Sequence, residues 1–254
     1  MNRHAYLCAA LLLAAPALGH AAVPVLGDPP GPSGADAFVD GTANWLVDTP
    51  VGAGQLSIVD QHLAYSTSTT PTSQDFAAWE WNVYGRPDGA DWTFQMDVSM
   101  PQLSFTNSSQ FVIYGLQMPT IGGNFFFYVY ETASGTQFVA QEAGQQAVLA
   151  TAAPGLSALR FRFDGSTGDL FADYDLNGPA GGYQWTNLDS ATSFGNGTIA
   201  VFGESANIAV STADNVFGDN VVAVPEASST TLMLAGLGLL TWYARKNRSS
   251  ALRT

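Results

Sequence analysis

The chain has 254 residues, with 8 Lys and Arg against 21 Asp and Glu and a formal net charge of −13 at pH 7. A chain this acidic repels phosphate backbones, which sets nucleic acid aside as a partner, and beyond residue 21 His62 is the only histidine and there is no cysteine, too few ligands for a zinc centre. The length admits one or two domains, and an all-β sandwich often uses about 200 residues as one.

The chain opens on "MNRHAYLCAALLLAAPALGHAA": Arg3 and His4, an apolar run from Ala5 to Leu18, then the small residues Gly19 and Ala21. This order reads as a secretory signal peptide over residues 1–21, cut by signal peptidase after Ala21. A spanning helix needs roughly 20 apolar residues, and Pro16 and Gly19 interrupt this one too early. Cys8 follows Leu7 and not the small residue that a lipidation site wants, so the only cysteine leaves with the leader. The exported chain then has no disulfide and must be held together by its core. Residues 22–35, containing "PVLGDPPGPSGA", form a Pro/Gly-rich extended lead-in. Between Ala22 and Val224 the basic residues are Arg86, Arg160 and Arg162 alone, against sixteen aspartates and four glutamates. Such a charge keeps a protein soluble outside a cell, and it is compatible with divalent cations or neutral polymers as ligands.

Residues 36–223 read as β-strands throughout, because glycine and proline punctuate every window that could keep helical spacing. "FAAWEWNV" puts Trp79 and Trp81 on one side of a strand, about 7 Å apart. "DWTFQMDVSM" alternates strictly, with Trp92, Phe94, Met96 and Val98 on one face. "SQFVIYGLQM" and "NFFFYVYE" are apolar on both faces, as strands covered on both sides would be, and the second aligns Tyr128 with Tyr130. Flat rings with hydroxyls nearby suit the faces of sugar rings, which carry little charge and tolerate an acidic neighbour. Trp79, Trp81, Tyr128 and Tyr130 are therefore the expected ligand platform, although the same rings could fill the core instead. Trp185, in the glycine-flanked "GGYQWTN", is the tryptophan expected at a rim.

In "LRFRFDGSTGDLFADYDLNG" a turn over residues 164–169 pairs Phe163 with Leu170 and fixes the register of a hairpin. Leu159, Phe161 and Phe163 then share a face with Leu170, Ala172 and Tyr174. Arg160 falls opposite Asp173 on the other face, within reach of Asp175, as a partly exposed ion pair worth less than about 1 kcal/mol. Asp173, Asp175 and Asn177 also have the oxygen spacing with which calcium loops begin, so calcium is a possible cofactor. Gln184 stands where such a loop needs its glutamate, and Asn177-Gly178 equally makes a plain turn.

The opening "AFVDGTANWLVDTPVGAGQLSIVDQHLAY", this hairpin and the closing "FGDNVVA", with Asp219-Asn220-Val221, resemble the concanavalin A-like, laminin-G-like jelly roll. The resemblance implies a two-sheet antiparallel sandwich whose face often binds sugar, with calcium in some relatives, and it does not imply catalysis. The glucanases of that fold carry two glutamates in a Glu-x-Asp-x-x-Glu pattern, which is missing here. A Ser-His-Asp site would have to use His62, the only histidine past the leader, in the ordinary strand "HLAYS". No residue is assigned a catalytic role.

The chain closes on "VPEASSTTLMLAGLGLLTWYARKNRSS". The apolar run Leu232 to Ala244 has 13 residues, about 20 Å as a helix against a hydrocarbon thickness of about 30 Å. Snorkelling by Arg245, Lys246 and Arg248 extends its reach, and the basic end would stay cytoplasmic. Val224-Pro225-Glu226, a polar spacer, the apolar run and Arg245-Lys246 resemble the PEP-CTERM sorting signal of Gram-negative bacteria over residues 224–248, followed by a tail at 249–254. Ala227 departs from the proline that the family usually repeats. The resemblance implies export, transient retention in the inner membrane as a transmembrane helix, and cleavage near Pro225-Glu226 by an exosortase-type peptidase. The implied destination is the cell surface or an exopolysaccharide-rich biofilm matrix. Two function classes follow: a non-enzymatic surface protein that holds polysaccharide, and a carbohydrate-active hydrolase with a divergent carboxylate pair. A purely structural shell component is the third.

Overall fold

The computed structural model describes residues 45–47, 50–82, 91–179, 182–193 and 198–225. The expected signal peptide with Ala21, the lead-in, and the tail residues Glu226, Ala227, Arg245 and Lys246 lie outside the described residues. In chain order the strands are β1 (Trp45–Val47), β2 (Gln55–Val59), β3 (His62–Ser66), β4 (Asp75–Asn82), β5 (Trp92–Met100), β6 (Phe111–Thr120) and β7 (Gly123–Thr132). They continue as β8 (Gly135–Glu142), β9 (Val148–Thr151), β10 (Gly155–Asp164), β11 (Asp169–Asp175), β12 (Thr186–Thr192), β13 (Thr198–Ala206) and β14 (Phe217–Pro225). Sheet A has the order β1-β4-β13-β6-β7-β8-β9, and sheet B the order β12-β11-β10-β5-β14-β3-β2; every pairing is antiparallel. This is the two-sheet sandwich expected from the period-two stretches, and the jelly roll that the resemblance implies. Among the described residues no helix is long and apolar enough to cross a membrane.

Alternation decides which side chains fill the space between the sheets. From sheet B come Trp92, Phe94, Met96 and Val98 of β5, Leu159, Phe161 and Phe163 of β10, and Leu170 and Ala172 of β11, all buried. Phe163 pairs with Leu170 and Arg160 with Asp173, the register expected from sequence. Sheet A supplies Val112, Tyr114, Leu116 and Met118 of β6 and Phe125, Phe127 and Val129 of β7. Rings meet across the gap, Phe125 on Phe161 at 5.8 Å and Phe138 on Tyr174 at 4.5 Å between centroids. Each fully buried side chain of this size contributes about 1.5–3 kcal/mol.

Two buried tyrosines join the sheets in opposite directions. Tyr65 of β3 reaches across to donate its hydroxyl hydrogen to the Asp75 carbonyl at 2.6 Å, with Ser205 Oγ at 3.0 Å. Tyr114 of β6 reaches back and donates to the Leu63 carbonyl at 2.7 Å. Each needs a gap opposite. A Cβ on Gly203 would be driven into the Tyr65 ring, and one on Gly218 would stand 2.9 Å from the Tyr114 hydroxyl. Burial raises both phenols well above the ordinary tyrosine range, so both stay protonated and able to donate.

The Asp219-Asn220-Val221 stretch of β14 is a β-bulge, where the register against β5 shifts between Asp219 and Val222. Asn220 takes a left-handed φ of 49°, which short polar side chains tolerate best. The extra residue lets Val221 point inward, fully buried, while Asn220 donates from Nδ2 to Asp97 Oδ2 at 2.7 Å on the outside.

Tyr65→Phe strands the Asp75 carbonyl and is expected to cost about 1–3 kcal/mol, and Gly203→Ala about the same or more through overpacking. Urea unfolding of the purified protein, followed by tryptophan fluorescence, measures both; losses below about 0.5 kcal/mol for the pair would show that the tyrosines do not fasten the sheets.

Candidate functional site

The outer face of sheet A carries the site. "FVIYGLQM" and "NFFFYVYE" are apolar on both faces, and the side that does not enter the core builds a second apolar cluster on the surface of β4, β13, β6 and β7. No helical layer covers it among the described residues, which corrects the expectation of strands covered on both sides. Strand register arranges this face in three rows. One runs Glu80, Ala200, Gln117, Phe126, Gln141; the next Ala78, Phe202, Gly115, Tyr128, Val139; the third Phe76, Glu204, Ile113, Tyr130, Gln137.

Phe202 is the hub. Its ring lies 6.0 Å from each of Phe76, Phe126 and Tyr128, stacked on the first and edge-on to the other two. Gly115 stands between Phe202 and Tyr128 in the row, and a Cβ there would strike the Phe127 carbonyl and the base of the Tyr128 side chain. The glycine is what lets the two rings close over the strand. Phe111 extends the field to Tyr130 at 5.8 Å. Phe76, Phe111, Phe126, Tyr128 and Tyr130 are half-buried and present ring edges and faces to the outside. Gln117, Gln137, Gln141, Glu80 and Glu204 flank them with amide and carboxylate groups at intermediate exposure.

Burial pushes the Tyr128 phenol up to about 12, with the nearby Glu204 and Tyr130 adding to the rise. Burial also raises Tyr130. Both therefore remain neutral hydroxyls near neutral pH. Burial lifts the Glu204 carboxyl too, against the hydrogen bond that Gln74 Nε2 donates to it at 3.1 Å. Glu80 and Glu204 sit on the same face but four residues apart in register, about 13 Å along the strands. Paired glycosidase carboxylates stand about 5–9.5 Å apart. The face offers rings and hydroxyls, and a single pair of carboxylates too distant to share one glycosidic bond.

Of the expected platform, Tyr128 and Tyr130 lie on this face. Trp79 does not: its strand turns it inward, 5 % exposed, into the main core. The side chain of Trp81 lies outside the described residues; its backbone pairs with Trp45 and Ile199. Trp185 is not a free rim ring either. It stacks on Tyr183 at 5.0 Å, and the Arg160 guanidinium lies 4.3 Å from its ring on the outer face of sheet B. Phe76, Phe111, Phe126 and Phe202 were not singled out from sequence, although apolar residues at the outer positions of β4, β6, β7 and β13 marked them.

Asp173, Asp175 and Asn177, the residues expected to offer oxygens to calcium, sit as follows. Asp173, 2 % exposed, accepts from Arg160 Nη2 at 2.7 Å, Arg162 Nε at 3.1 Å and Asn187 Nδ2 at 3.0 Å. Burial alone would raise its carboxyl, but Asn187 and the two guanidinium groups outweigh it and hold the group below the ordinary carboxylate range. Two arginines, each partly exposed, thus share one buried carboxylate, and Arg162 in turn lies over Phe171 at 4.2 Å. Asp175 closes a turn instead of facing Arg160. Its Oδ1 accepts the Asn177 N–H at 2.7 Å and its Oδ2 the Gln184 N–H. Asn177 itself is exposed before Gly178, whose φ of 58° makes the plain turn. Among the described residues no group of three metal-ligating side chains forms. His62 lies beside Asp219, 3.5 Å from Nε2 to Oδ2, with its ring on Phe217.

Residues 223–249 match the PEP-CTERM protein-sorting motif. No curated protein matches the chain in sequence. Among solved structures, the chain is similar to the CBM2 module of the evolved Dit protein of Lactobacillus casei BL23 phage J-1, at 11% identity and a TM-score of 0.42 over 69% of this chain and 83% of the module. It is also similar to a lectin from Bauhinia forficata in complex with GalNAc, at 10% identity and a TM-score of 0.44 over 74% and 95% of the two chains. A polysaccharide lyase family 7 alginate lyase aligns at 9% identity and a TM-score of 0.40, over 73% of this chain and 96% of the lyase.

Asp173→Asn is expected to lower stability near neutral pH by about 1–3 kcal/mol, because it leaves two partly buried guanidinium groups without their anion. The native carboxylate has a depressed pKa, so its contribution is present above the unfolded value and is lost as pH falls through the folded one. Chemical unfolding of both proteins between pH 7 and about pH 2 should show the gap closing on acidification; a gap independent of pH would contradict the assignment.

Proposed function

We propose that this is an exported protein, cut by signal peptidase after Ala21 and by an exosortase-type peptidase near Pro225-Glu226, that holds a neutral polysaccharide at the cell surface or in its matrix without cleaving it. The sorting-motif match over residues 223–249 supports the route. The binding reading rests on one observation, the aromatic field of Phe76, Phe111, Phe126, Tyr128 and Tyr130 around Phe202 on the outer face of sheet A. Sugar rings stack their C–H faces on such rings, and glutamines and carboxylates alongside accept and donate to their hydroxyls. Flanked by Glu80 and Glu204 with no described cation, the field repels uronate or sulfate polymers and favours neutral ones. The hydrolase alternative needs a second carboxylate near Glu204, and the spacing to Glu80 speaks against it.

Affinity electrophoresis through gels of neutral and acidic polysaccharides tests binding. Retardation is expected in a neutral gel and should fall at least about tenfold for Tyr128→Ala or Phe126→Ala, a loss of about 1.4 kcal/mol, and be unchanged for Trp185→Ala. New reducing ends in the gel would favour the hydrolase. For the route, mass spectrometry of the protein recovered from its own cells should find neither residues 1–21 nor the run Leu232 to Ala244; recovery of that run in the inner membrane would overturn it.

A further inference from the structure

At one end of the sandwich, where the sheets part, the core finishes on polar groups. β7 sends Phe125, Phe127 and Val129 inward, and by the same alternation its next inward residue is Glu131, a carboxylate 2 % exposed. Directly opposite in register on β8 stands Thr136, 4 % exposed and also inward. Glu131 Oε1 accepts the Leu103 N–H at 2.9 Å, but Oε2 has no partner, and neither has Thr136 Oγ1. A buried carboxylate oxygen and a buried hydroxyl left unsatisfied would cost about 1–3 kcal/mol each, so both call for a hydrogen-bonding group from outside the chain.

Both residues line a cavity of about 630 Å³ between the β5–β6 segment, the β7–β8 turn and the β9–β10 segment. Its walls alternate hydroxyl and amide groups (Gln102, Ser104, Ser134) with apolar surface from Phe105 and Pro154. Hydroxyl and amide groups beside apolar surface suit a small polar molecule. Glu131 is the only ionisable group in the lining and it is acidic, so an anionic ligand would find no partner. A calcium ion wants six to eight oxygen ligands, several of them charged, and this lining supplies one carboxylate.

We propose that this cavity binds the end of a neutral sugar chain, with one ligand hydroxyl bridging the free Oε2 of Glu131 and the Oγ1 of Thr136 while the ring packs on Phe105. A hydroxyl is both donor and acceptor, so one group can satisfy both oxygens, which belong to residues whose Cβ atoms lie about 5 Å apart as cross-strand partners. Burial raises the Glu131 carboxyl, which weakens it as an ion partner without removing its use to a neutral ligand. The cavity and the aromatic face of sheet A share no residue, so neither site depends on the other.

Saturation-transfer NMR and thermal unfolding, with millimolar glucose, galactose, mannose and N-acetylglucosamine, test the site in the full protein carrying Tyr128→Ala, which silences the aromatic face. Calcium chloride and methylammonium chloride are parallel arms. At least one neutral sugar is expected to give saturation transfer and raise the melting temperature, and Glu131→Gln and Thr136→Val should each weaken it tenfold or more. Thr136→Val, which removes an unsatisfied hydroxyl, should be at least as stable as the parent without sugar and so keeps the test open if Glu131→Gln folds poorly. Binding of no neutral sugar, binding indifferent to both substitutions, or Glu131-dependent binding of calcium or methylammonium instead would each overturn the proposal.

Discussion

The distance and register between the two sheets depend on a reciprocal pair of buried hydroxyls. Tyr65 crosses from sheet B to the Asp75 carbonyl, and Tyr114 crosses from sheet A to the Leu63 carbonyl. Hydrophobic burial brings two sheets together but is nearly indifferent to sliding, because one apolar ring fits against many others. A hydrogen bond across a dry core is directional, and leaving either end unmade is expensive. The sites opposite the rings, Gly203 and Gly218, are short of side chain for the same reason. With Cys8 the only cysteine in the sequence, no disulfide within the chain competes with this arrangement.

Once the inner faces are fixed, alternation hands every other residue to the outside, and the two outer faces come out unlike. Sheet A shows rings and amides. Sheet B shows a self-satisfied polar layer in which Asp173 holds two arginines, Trp185 covers one of them, and Tyr183 and Asn220 donate to the buried Asp97. In a chain with 21 acidic residues, tying both described arginines to one aspartate leaves the remaining surface strongly negative. That surface helps the protein stay dissolved and disfavours negatively charged ligands.

The last strand links the fold to the address. β14 ends at Pro225, opposite Trp92 beside the core, while the sorting motif is matched from residue 223. Three residues thus serve both. Cleavage after Glu226 would leave β14 whole between β5 and β3, whereas cleavage a few residues earlier would remove backbone from the middle of sheet B. A cut at Pro225-Glu226, were the tail removed there, would be compatible with a sandwich that stays closed.

Composition, period-two patterning and turn chemistry by themselves determined the all-β sandwich, the inward set Trp92, Phe94, Met96 and Val98, and the register of the hairpin from Phe163 to Leu170. These follow from local rules: a strand alternates, and a turn of given length fixes its partner. The order of the sorting motif was legible for the same reason, since its parts are contiguous. Tertiary structure alone decided which face of each doubly apolar strand met the other sheet. Trp79 and Tyr128 look alike in sequence, yet one went into the core and the other out, because which side of a strand becomes the inside is set by its neighbours in the sheet. It also decided that Asp173 faces two arginines, that Arg160 is capped by a tryptophan 25 residues away, and that Glu131 ends an inward row beside Thr136. Each of these joins residues distant in the chain, and pattern within a window cannot specify contacts that only the packing of two sheets creates.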